Sequence, residues 1–417
     1  MPRLSVVIPI HQARSEIRTC LDSVLDQSFR DLEVIAVDDR SPQGIRDVLD
    51  DYALRDPRVR VIRLQEPSGP GPARNEGARV AWGEYLLFLD CHDYYLPGSL
   101  AAIAERLEEA GDPDLLIFEY VHTHRGGRSS PGVAGKLLSS TEDEIFTLGE
   151  RPEMIRLPAV IRDKAFRTRF WWENEFAFPP GLYEDSPIAY ETLMAARAIA
   201  CLKRPCLRHH PYPDGSVTVS PSRRHFDIFV QYAGVYAYIE QHPELDDLRD
   251  LVFHRMIDHF LSCLERTSRV RPSDRRVYFR RIKELYRRYR PDRMEYPSRL
   301  RGMEFRLVEL GLYTPYAALK AAQATHFKTR SAHLRLRHLW DPVVHDPSRR
   351  FLRLLPTDDH VDVLQARQNR RSRGAPTIER EPHPPALDLR PLWVPEPDEL
   401  PRPRPDGEHA LPHAHRS

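Results

Sequence analysis

Two stretches of the sequence, VIAVDDRS and FLDCHDYYLPGSL, place acidic side chains directly after apolar runs that are typical of strands. The first stretch contains Asp38 and Asp39, and the second contains Asp90, His92 and Asp93. Ligands of an α/β sheet bind beyond the carboxyl ends of its strands, which is where these side chains are expected to lie. Carboxylates there can accept hydrogen bonds from a ribose or a base, or hold a divalent cation.

Two further stretches contain groups suited to proton transfer and to phosphate binding. In PPGLYEDSP, Glu184 and Asp185 follow a rigid turn, and a carboxylate can take the proton of an attacking hydroxyl. In SGPGPARNEG, glycines and prolines predict a rigid loop, with Arg74 and Asn75 near the first turn of a helix, where an arginine can pair with a diphosphate. The spacing differs from GxGxxG and Pro70 lacks a backbone donor, which excludes a dinucleotide-dependent oxidoreductase.

Each of these assignments has a structural alternative. Asp38 or Asp39 could cap the helix after the turn, because aspartate is a preferred N-cap residue. Arg74 could be an ordinary arginine on a helix surface, and an isolated pair such as Glu184-Asp185 is most often exposed to solvent without a functional role. The functional interpretation therefore depends on the acidic stretches occurring together.

The elements that would position these residues alternate between residues 4 and 120. Runs of Val, Ile and Leu without polar alternation favour strands covered on both faces, and hence a mostly parallel sheet flanked by helices. The predicted strands are LSVVIP, LEVIAVDD, VRVIRL, EYLLFLD and DLLIFEY, and the predicted helices are SEIRTCLDSVLDQ, residues 44–55, ARNEGARVAW and residues 97–110. The strand ends fall at Pro9, Asp38-Asp39, Leu64 and Asp90, so the acids follow strands.

Three segments are predicted from the pattern along the chain. We expect a catalytic α/β domain over residues 1–220, in which the looser, aromatic part after residue 121 faces the acceptor. A helical subdomain follows over 221–340, with basic amphipathic helices such as RRVYFRRIKELYRRYR. Their basic faces are either solvated or dock on an anionic membrane surface. Residues 341–417 are rich in Pro and Arg and are expected to be disordered.

Composition excludes several classes of partner and site. Among the 417 residues, 62 Lys and Arg stand against 61 Asp and Glu, a formal net charge of +1 that gives no indication of nucleic-acid binding. The five cysteines are scattered without CxxC spacing, which favours a reduced, cytoplasmic chain. The apolar run at the start is too short for a signal peptide, and no stretch approaches the roughly 20 apolar residues of a membrane span.

The order SVVIP, LEVIAVDDRS, GPARNEGARVAWGEYLLFLD, DYYLPGSL and GLYEDSP resembles the family 2 glycosyltransferases, over about residues 3–220. The resemblance implies the GT-A fold, an α/β nucleotide-diphospho-sugar transferase fold. The later stretches SRRHFDIFVQY and RRIKELYRRYR are similar to glycosyltransferase halves fused to teichoic-acid-type CDP-glycerol glycerophosphotransferases. The processive QxxRW signature of the family is missing, so we expect transfer of one sugar or a few.

The resemblance also implies roles for individual residues. Asp39, with Asp38 beside it, would contact the base or the ribose of a nucleotide-sugar donor near Pro9. Arg74, followed by Asn75, would face the diphosphate.

Asp90 and position 92 would be the two ends of a DxD-type motif that holds a divalent cation, with Asp93 beside them. The family usually has aspartate where this chain has His92, and three explanations remain open. A neutral imidazole can ligate Mn²⁺ with a reduced preference for Mg²⁺, protonated His92 could neutralise the diphosphate without a metal, or the donor site is degenerate.

The implied activity is an inverting glycosyltransferase with Asp185, beside Glu184, as the catalytic base. We expect a UDP-sugar donor, a divalent cation with Mn²⁺ preferred over Mg²⁺, and an acceptor that is a glycan, a polyol-phosphate or a lipid-linked precursor of the cell envelope. The chain would be cytoplasmic, peripheral on the inner face of the membrane if its basic helices dock there. The rival hypothesis is a catalytically degenerate GT-A scaffold that recruits a partner transferase.

Overall fold

The computed structural model of the protein describes residues 1–11, 16–123, 129–132, 134–141, 144–210, 220–292, 294–297 and 299–325. All of them belong to the compact unit that spans Met1–Val361. The segment 341–417 and the disorder predicted for it lie outside the described residues.

The described strands form one mixed sheet in the order β3-β2-β1-β4-β8-β6-β9-β5, with β7 paired to β6. The strands are β1 (Leu4–Ile10), β2 (Leu32–Asp38), β3 (Val59–Arg63), β4 (Tyr85–Phe88), β5 (Tyr94–Tyr95), β6 (Leu115–Thr123), β7 (Ser129–Pro131), β8 (Lys164–Arg167) and β9 (Ile199–His209). Strands β1 to β4 pair in parallel, and so do β6 and β9. Strand β8 is antiparallel to β4 and β6, and β5 is antiparallel to β9. The predicted α/β class with a mostly parallel sheet is confirmed.

Helices cover both faces of this sheet and continue beyond it. They are α1 (Glu16–Leu25), α2 (Gln43–Arg55), α3 (Pro70–Arg79), α4 (Ser99–Glu109), α5 (Gly135–Ser139), α6 (Thr168–Glu173), α7 (Asp185–Ala195), α8 (Asp227–Gln241), α9 (Arg249–Glu265), α10 (Arg275–Tyr289) and α11 (Arg299–Leu310). A further helix begins at residue 313 and reaches the last described residue, 325.

The start of α3 differs from the prediction. The sequence predicted a rigid loop before Arg74, whereas the helix begins at Pro70 after Gly69, whose φ is 84°. Proline suits this position because the first helical N–H groups have no partner within the helix. Arg74 therefore lies in the second turn of α3 rather than in its first.

Burial explains why β1, β2 and β4 form the centre of the sheet. Every residue of β1 and β4 is buried, and only Glu33 in β2 is partly exposed. The parallel register aligns Ile10 with Asp38 and Val7 with Phe88. The carboxyl ends of the three strands consequently meet at one edge, which holds the acidic residues singled out in the sequence.

The region after residue 121 is more regular than the sequence indicated. It contributes β8 and β9 to the sheet and α6 and α7 to its cover, where the sequence indicated only a looser, aromatic part. The strand pattern of β8 is hidden by charges, because the buried Lys164 donates hydrogen bonds to Asp163 (2.6 Å) and to the Val160 carbonyl (2.7 Å). An ionic side chain inside the core breaks the apolar periodicity on which such predictions depend.

The helices that follow the sheet share a hydrophobic core with it. The apolar face of α8 packs into the core, where Phe229, Tyr232 and Tyr236 are buried. Tyr236 stacks on Tyr289 of α10 with 3.9 Å between ring centroids. One continuous hydrophobic cluster joins this helical layer to sheet residues such as Val7, so the helices support the strands that carry the candidate site.

Candidate active site

The acidic residues predicted from the sequence lie along the carboxyl edge of the sheet. Pro9 is the penultimate residue of β1, and Asp38 is the last residue of β2. Asp90 follows β4 by two residues, and Asp93 directly precedes β5. A backbone hydrogen bond from Asp93 N–H to the Asp90 carbonyl (2.9 Å) closes the turn between these two acids.

Asp38 and Asp39 are engaged in holding this edge together. The buried Asp38 carboxylate accepts a hydrogen bond from Ser41 N–H (2.8 Å) and pairs with Arg46 at 3.2 Å, as expected of a residue that stabilises its own turn. The Asp39 carboxylate accepts hydrogen bonds from the backbone N–H groups of Ser68 (2.7 Å) and Gly69 (2.9 Å), just before α3. Neither aspartate caps the helix that follows, because α2 has Pro42 at its N-cap and no side-chain cap hydrogen bond. Contact between Asp39 and a nucleotide stays a prediction.

Arg74 joins the sheet edge to the Glu184-Asp185 pair. Its Nη2 donates to Asp90 Oδ1 at 2.7 Å, and its Nη1 donates to Glu184 Oε1 at 2.7 Å and to Asp185 Oδ1 at 3.1 Å. The arginine side chain is only 4% exposed, so these charge-assisted bonds lie in a medium of low dielectric constant. Two acidic stretches that are almost one hundred residues apart thus meet at one guanidinium.

Burial and the neighbouring charges shift the pKa values of these carboxylates in opposite directions, upward for Glu184 and Asp185 and downward for Asp90. Burial raises the pKa of Glu184 to about 7, with the charge of Asp185 adding to the effect and Arg74 opposing it. Burial also raises the pKa of Asp185 against the attraction of Arg74. For Asp90, the guanidinium groups of Arg74 and Arg162 outweigh burial and hold its pKa well below the usual range. A carboxylate with a raised pKa is the better proton acceptor, so the chemistry favours the Glu184-Asp185 side as the base.

The segment before α7 is fixed against α3. Asn75 donates from its amide to the Phe178 carbonyl (2.9 Å) and accepts from Phe178 N–H (2.8 Å), instead of facing a ligand with that amide. Gly71 allows close approach, since a Cβ there would lie 2.7 Å from the Pro179 carbonyl oxygen. Asp185 is the first residue of α7, where the positive end of the helix dipole favours a carboxylate.

A second cluster lies beside the first and contains the groups most suited to a cation. Ligand atoms of His92, Asp93 and His209 all lie within 4.8 Å of one another. His92 Nε2 is 3.8 Å from Asp93 Oδ1, and His209 Nδ1 is 3.0 Å from the same oxygen. Asp90 was predicted to share this role, but among the described residues it is not in the group, and its carboxylate bonds to Arg74 instead.

The chemistry of this cluster fits a divalent cation. Burial and the nearby Arg162 lower the pKa of His209 to about 3, so its imidazole is neutral, as a ligand must be. Burial raises the pKa of Asp93 to about 6 despite the opposing charge of Arg162. Two imidazoles and one carboxylate are a donor set that suits Mn²⁺ and other transition metals better than Mg²⁺.

The sequence did not reveal His209 and Arg162 as site residues. His209 ends β9, which pairs with β6 in parallel and with β5 in antiparallel orientation, so that Arg208 lies opposite Tyr94 next to Asp93. The run RPCLRHH contains the signal, two histidines after a strand-like stretch. Its pairing with a two-residue strand more than one hundred residues earlier could not be deduced from periodicity.

A mostly parallel α/β sheet with acidic residues along its carboxyl edge is the arrangement expected of the GT-A fold. The chain belongs to glycosyl transferase family 2, whose sequence model matches residues 5–166. It is 32% identical over 264 residues to the GalNAc(5)-diNAcBac-PP-undecaprenol beta-1,3-glucosyltransferase of Campylobacter jejuni, covering 60% of this chain and 78% of that protein. The predicted enzyme class, a family 2 glycosyltransferase, is confirmed.

Other similarities extend this assignment. The chain is 28% identical over 212 residues to the poly(ribitol-phosphate) beta-glucosyltransferase of Bacillus spizizenii, covering 48% of this chain and 30% of that protein. It spans less than half the length of this and several other curated relatives that it matches. The crystal structure of S. aureus TarS 1–349 in complex with UDP-GlcNAc superimposes with a TM-score of 0.62 over 78% of this chain and 92% of that chain, at 21% identity, which shows the shared fold. The predicted similarity to halves of glycerophosphotransferase fusions stays a prediction.

Proposed function

We propose that this glycosyltransferase moves a sugar from a UDP-sugar to an acceptor hydroxyl in one inverting displacement. The observation that carries the proposal is the contact of Arg74 with both Asp90 at the donor edge and Asp185 at the start of α7. One guanidinium thus fixes the proposed base relative to the edge where the diphosphate would lie. Such positioning contributes to rate because the reacting groups are held before the reaction begins.

Asp185 is the proposed general base, and Glu184 shares its charge environment. Burial raises the pKa of both groups, and a base with a pKa nearer neutrality takes the acceptor proton more effectively. Arg74 stabilises the ionised pair and brings positive charge to the diphosphate side. The hydrogen bonds of Asp39 to Ser68 and Gly69 shape the wall where we place the nucleoside.

His92, Asp93 and His209 would hold a divalent cation, Mn²⁺ in preference to Mg²⁺. The cation would act as a Lewis acid that neutralises charge on the departing diphosphate. This assignment replaces Asp90 by His209 in the predicted ligand set. It also favours the first of the three explanations of His92, a nitrogen ligand, over a degenerate site.

The acceptor is proposed to be a cell-envelope glycan, a polyol-phosphate or a lipid-linked precursor. Support comes from relatives whose names specify poly(ribitol-phosphate) and an undecaprenol-linked oligosaccharide. The UDP-sugar donor is supported by the structural similarity to TarS with UDP-GlcNAc. An acceptor panel containing these three classes, with UDP-glucose and UDP-GlcNAc as donors, would identify the pair that gives product.

Asp185→Asn tests the assignment of the base. The amide keeps the shape and a hydrogen-bond acceptor for Arg74, while it loses the ability to take a proton. We expect turnover to fall about 10²- to 10⁴-fold, the usual contribution of a general base, while the thermal shift caused by UDP stays unchanged. Turnover like that of the wild type would refute the assignment, and loss of both UDP binding and turnover would indicate a structural role instead.

We also propose that the exposed face of α10 docks on an anionic membrane surface. This helix contains seven Arg or Lys residues and one acid, and Arg276, Arg280, Arg287 and Arg288 are exposed. Its acid, Glu284, is already paired with Arg281 at 2.7 Å. No helix in the described part of the chain is long and apolar enough to cross a bilayer. Juxtaposed arginines would attract acidic lipid headgroups, with a strength that falls as salt rises.

Vesicle sedimentation with phosphatidylglycerol tests this surface. A variant with R276E, R280E and R287E should lose binding, whereas R55E, R79E and R169E, on exposed sites of α2, α3 and α6, should retain it. Equal binding by both triple variants would show that the location of the charges does not matter and would contradict the proposal.

A further inference from the structure

Arg162 lies inside the proposed cation cluster. It is 6% exposed and sits in the turn just before β8. Its Nη1 is 2.9 Å from His209 Nδ1, its Nε is 3.9 Å from Asp93 Oδ2 and its Nη2 is 3.7 Å from Asp90 Oδ2. A buried guanidinium is thus in direct contact with one proposed ligand and close to two acids.

The two contacts of His209 Nδ1 cannot form at the same time. A neutral imidazole presents either a lone pair or a hydrogen at Nδ1. With a lone pair there, Nδ1 accepts from Arg162; with a hydrogen there, it donates to Asp93, whose oxygens are 3.0 and 3.1 Å away. The Arg162 contact and the Asp93 contact therefore belong to two alternative tautomers.

Cation binding by His209 requires the Arg162 hydrogen bond to break, whichever nitrogen is the ligand. If Nδ1 binds the cation, it uses the lone pair that accepts from Arg162. If Nε2 binds it, the proton must move to Nδ1, which can then donate only to Asp93. Repulsion between the guanidinium and a divalent ion acts in the same direction, and it is strong because the site is buried.

We propose that Arg162 gates the cation site: it occupies His209 when no donor is bound and moves to the donor diphosphate when one arrives. The inference rests on the proposed cation cluster and donor. Diphosphate oxygens suit the forked guanidinium and compensate for the charge of both the arginine and the cation. A nucleoside diphosphate and the cation should consequently each strengthen the binding of the other by the same factor.

Mn²⁺ titrations followed by electron paramagnetic resonance, with and without UDP, test the gate. After correction for Mn²⁺ bound by free UDP, the wild type should bind Mn²⁺ about tenfold or more tightly when UDP is present. R162M should bind Mn²⁺ alone about tenfold more tightly than the wild type, and UDP should add little. R208M is the matched control, because Arg208 lies on the same strand as His209 but bonds to Ser129. It removes a nearby positive charge and should leave Mn²⁺ affinity unchanged, both with and without UDP.

The outcomes separate failure of the gate from failure of the cation site. If H209Q weakens Mn²⁺ binding but R162M binds Mn²⁺ no more tightly than the wild type, the cation site stands and the gate is refuted. If neither the wild type nor R162M binds Mn²⁺ even with UDP, the proposed cation cluster is refuted and the gate is refuted with it. The same coupling to UDP in R162M as in the wild type would also refute the gate.

A measurement on the wild-type protein makes the test independent of variant folding. Nitrogen-15 spectra of histidine-labelled protein report which ring nitrogen carries the proton. The signals of His209 are those that disappear in H209Q. Without ligands, Nδ1 should be unprotonated because it accepts from Arg162. A protonated Nδ1 would show that His209 already bonds to Asp93 and would overturn the proposal.

Discussion

Replacing Arg74 by methionine removes the charge that three buried carboxylates share. Methionine keeps much of the side-chain volume but leaves Asp90, Glu184 and Asp185 without the guanidinium that lies 2.7 to 3.1 Å from them. Removing one partner of a buried ion pair costs about 3–5 kcal/mol of unfolding free energy. With three acids affected we expect a loss at the upper end, about 5 kcal/mol near pH 8, together with loss of turnover.

The loss should depend on pH in a defined direction. In R74M, Glu184 and Asp185 lose the guanidinium that opposes burial, so their folded-state pKa values lie further above the values of about 4 in the unfolded chain, while Asp90 keeps Arg162 at 3.7 Å. The folded protein then binds more protons than the unfolded chain above pH 4, and its stability falls as the pH rises. Near pH 5 the acids can be protonated, and the difference from the wild type should shrink to about 1–2 kcal/mol.

Urea unfolding of the wild type and of R74M at several pH values between 5 and 8 would measure this effect. Arg79→Met is the matched control, because Arg79 lies on the same helix and pairs with Glu76 at 3.0 Å, but is 64% exposed. An exposed pair contributes about 0–1 kcal/mol, so R79M should show a small loss with little pH dependence. A loss in R74M that is constant with pH, or no larger than that of R79M, would refute the electrostatic account of this site.

Three further predictions concern neighbouring residues. Because burial raises the pKa of Glu184 to about 7, this group should lower the free energy of unfolding of the wild type by about 3 kcal/mol between pH 4 and 7. Glu184→Gln should remove this decline. If urea unfolding gives the wild type and the variant the same pH dependence over that range, the pKa of Glu184 is not raised. Gly71→Ala should cost about 1–3 kcal/mol and lower turnover, because its Cβ would lie 2.7 Å from the Pro179 carbonyl, whereas Gly44→Ala meets nothing within 4 Å and should not destabilise; equal melting temperatures would contradict this. His92→Asp should shift cation preference towards Mg²⁺. Mn²⁺ and Mg²⁺ titrations of the variant that are identical to those of the wild type would exclude His92 as a ligand.

The edge of the sheet could be predicted because its signals are local. Strands β1, β2 and β4 are nearly continuous apolar runs, each followed by a turn. They end at Ile10, Asp38 and Phe88, within two residues of the ends predicted where the apolar runs stop. Parallel pairing then brings those ends together without further information. The turn before Glu184 and Asp185 was predicted in the same way, but the helix α7 that begins at Asp185 was not.

The contacts between side chains could not be predicted, because they depend on pairings between distant segments. Arg74 was expected to face a diphosphate, but nothing in its local sequence indicates that Asp90 and Glu184 bond to it. Arg162 and His209 were missed for the same reason, since their proximity depends on where β8 and β9 insert into the sheet. Charged residues in the middle of a sheet also give no periodic signal.

The stretch FLDCHD divides between two charge networks rather than forming one motif. Asp90 bonds to Arg74 and so belongs with the proposed base, whereas His92 and Asp93 belong with His209 of β9. A histidine in place of the usual aspartate therefore does not by itself imply a lost cation site, because the ligand that completes the cluster comes from another strand. Whether that ligand is available depends on Arg162, which contacts His209 at 2.9 Å. Under the proposed gate, the capacity of this site for a cation depends on a residue seventy positions further along the chain.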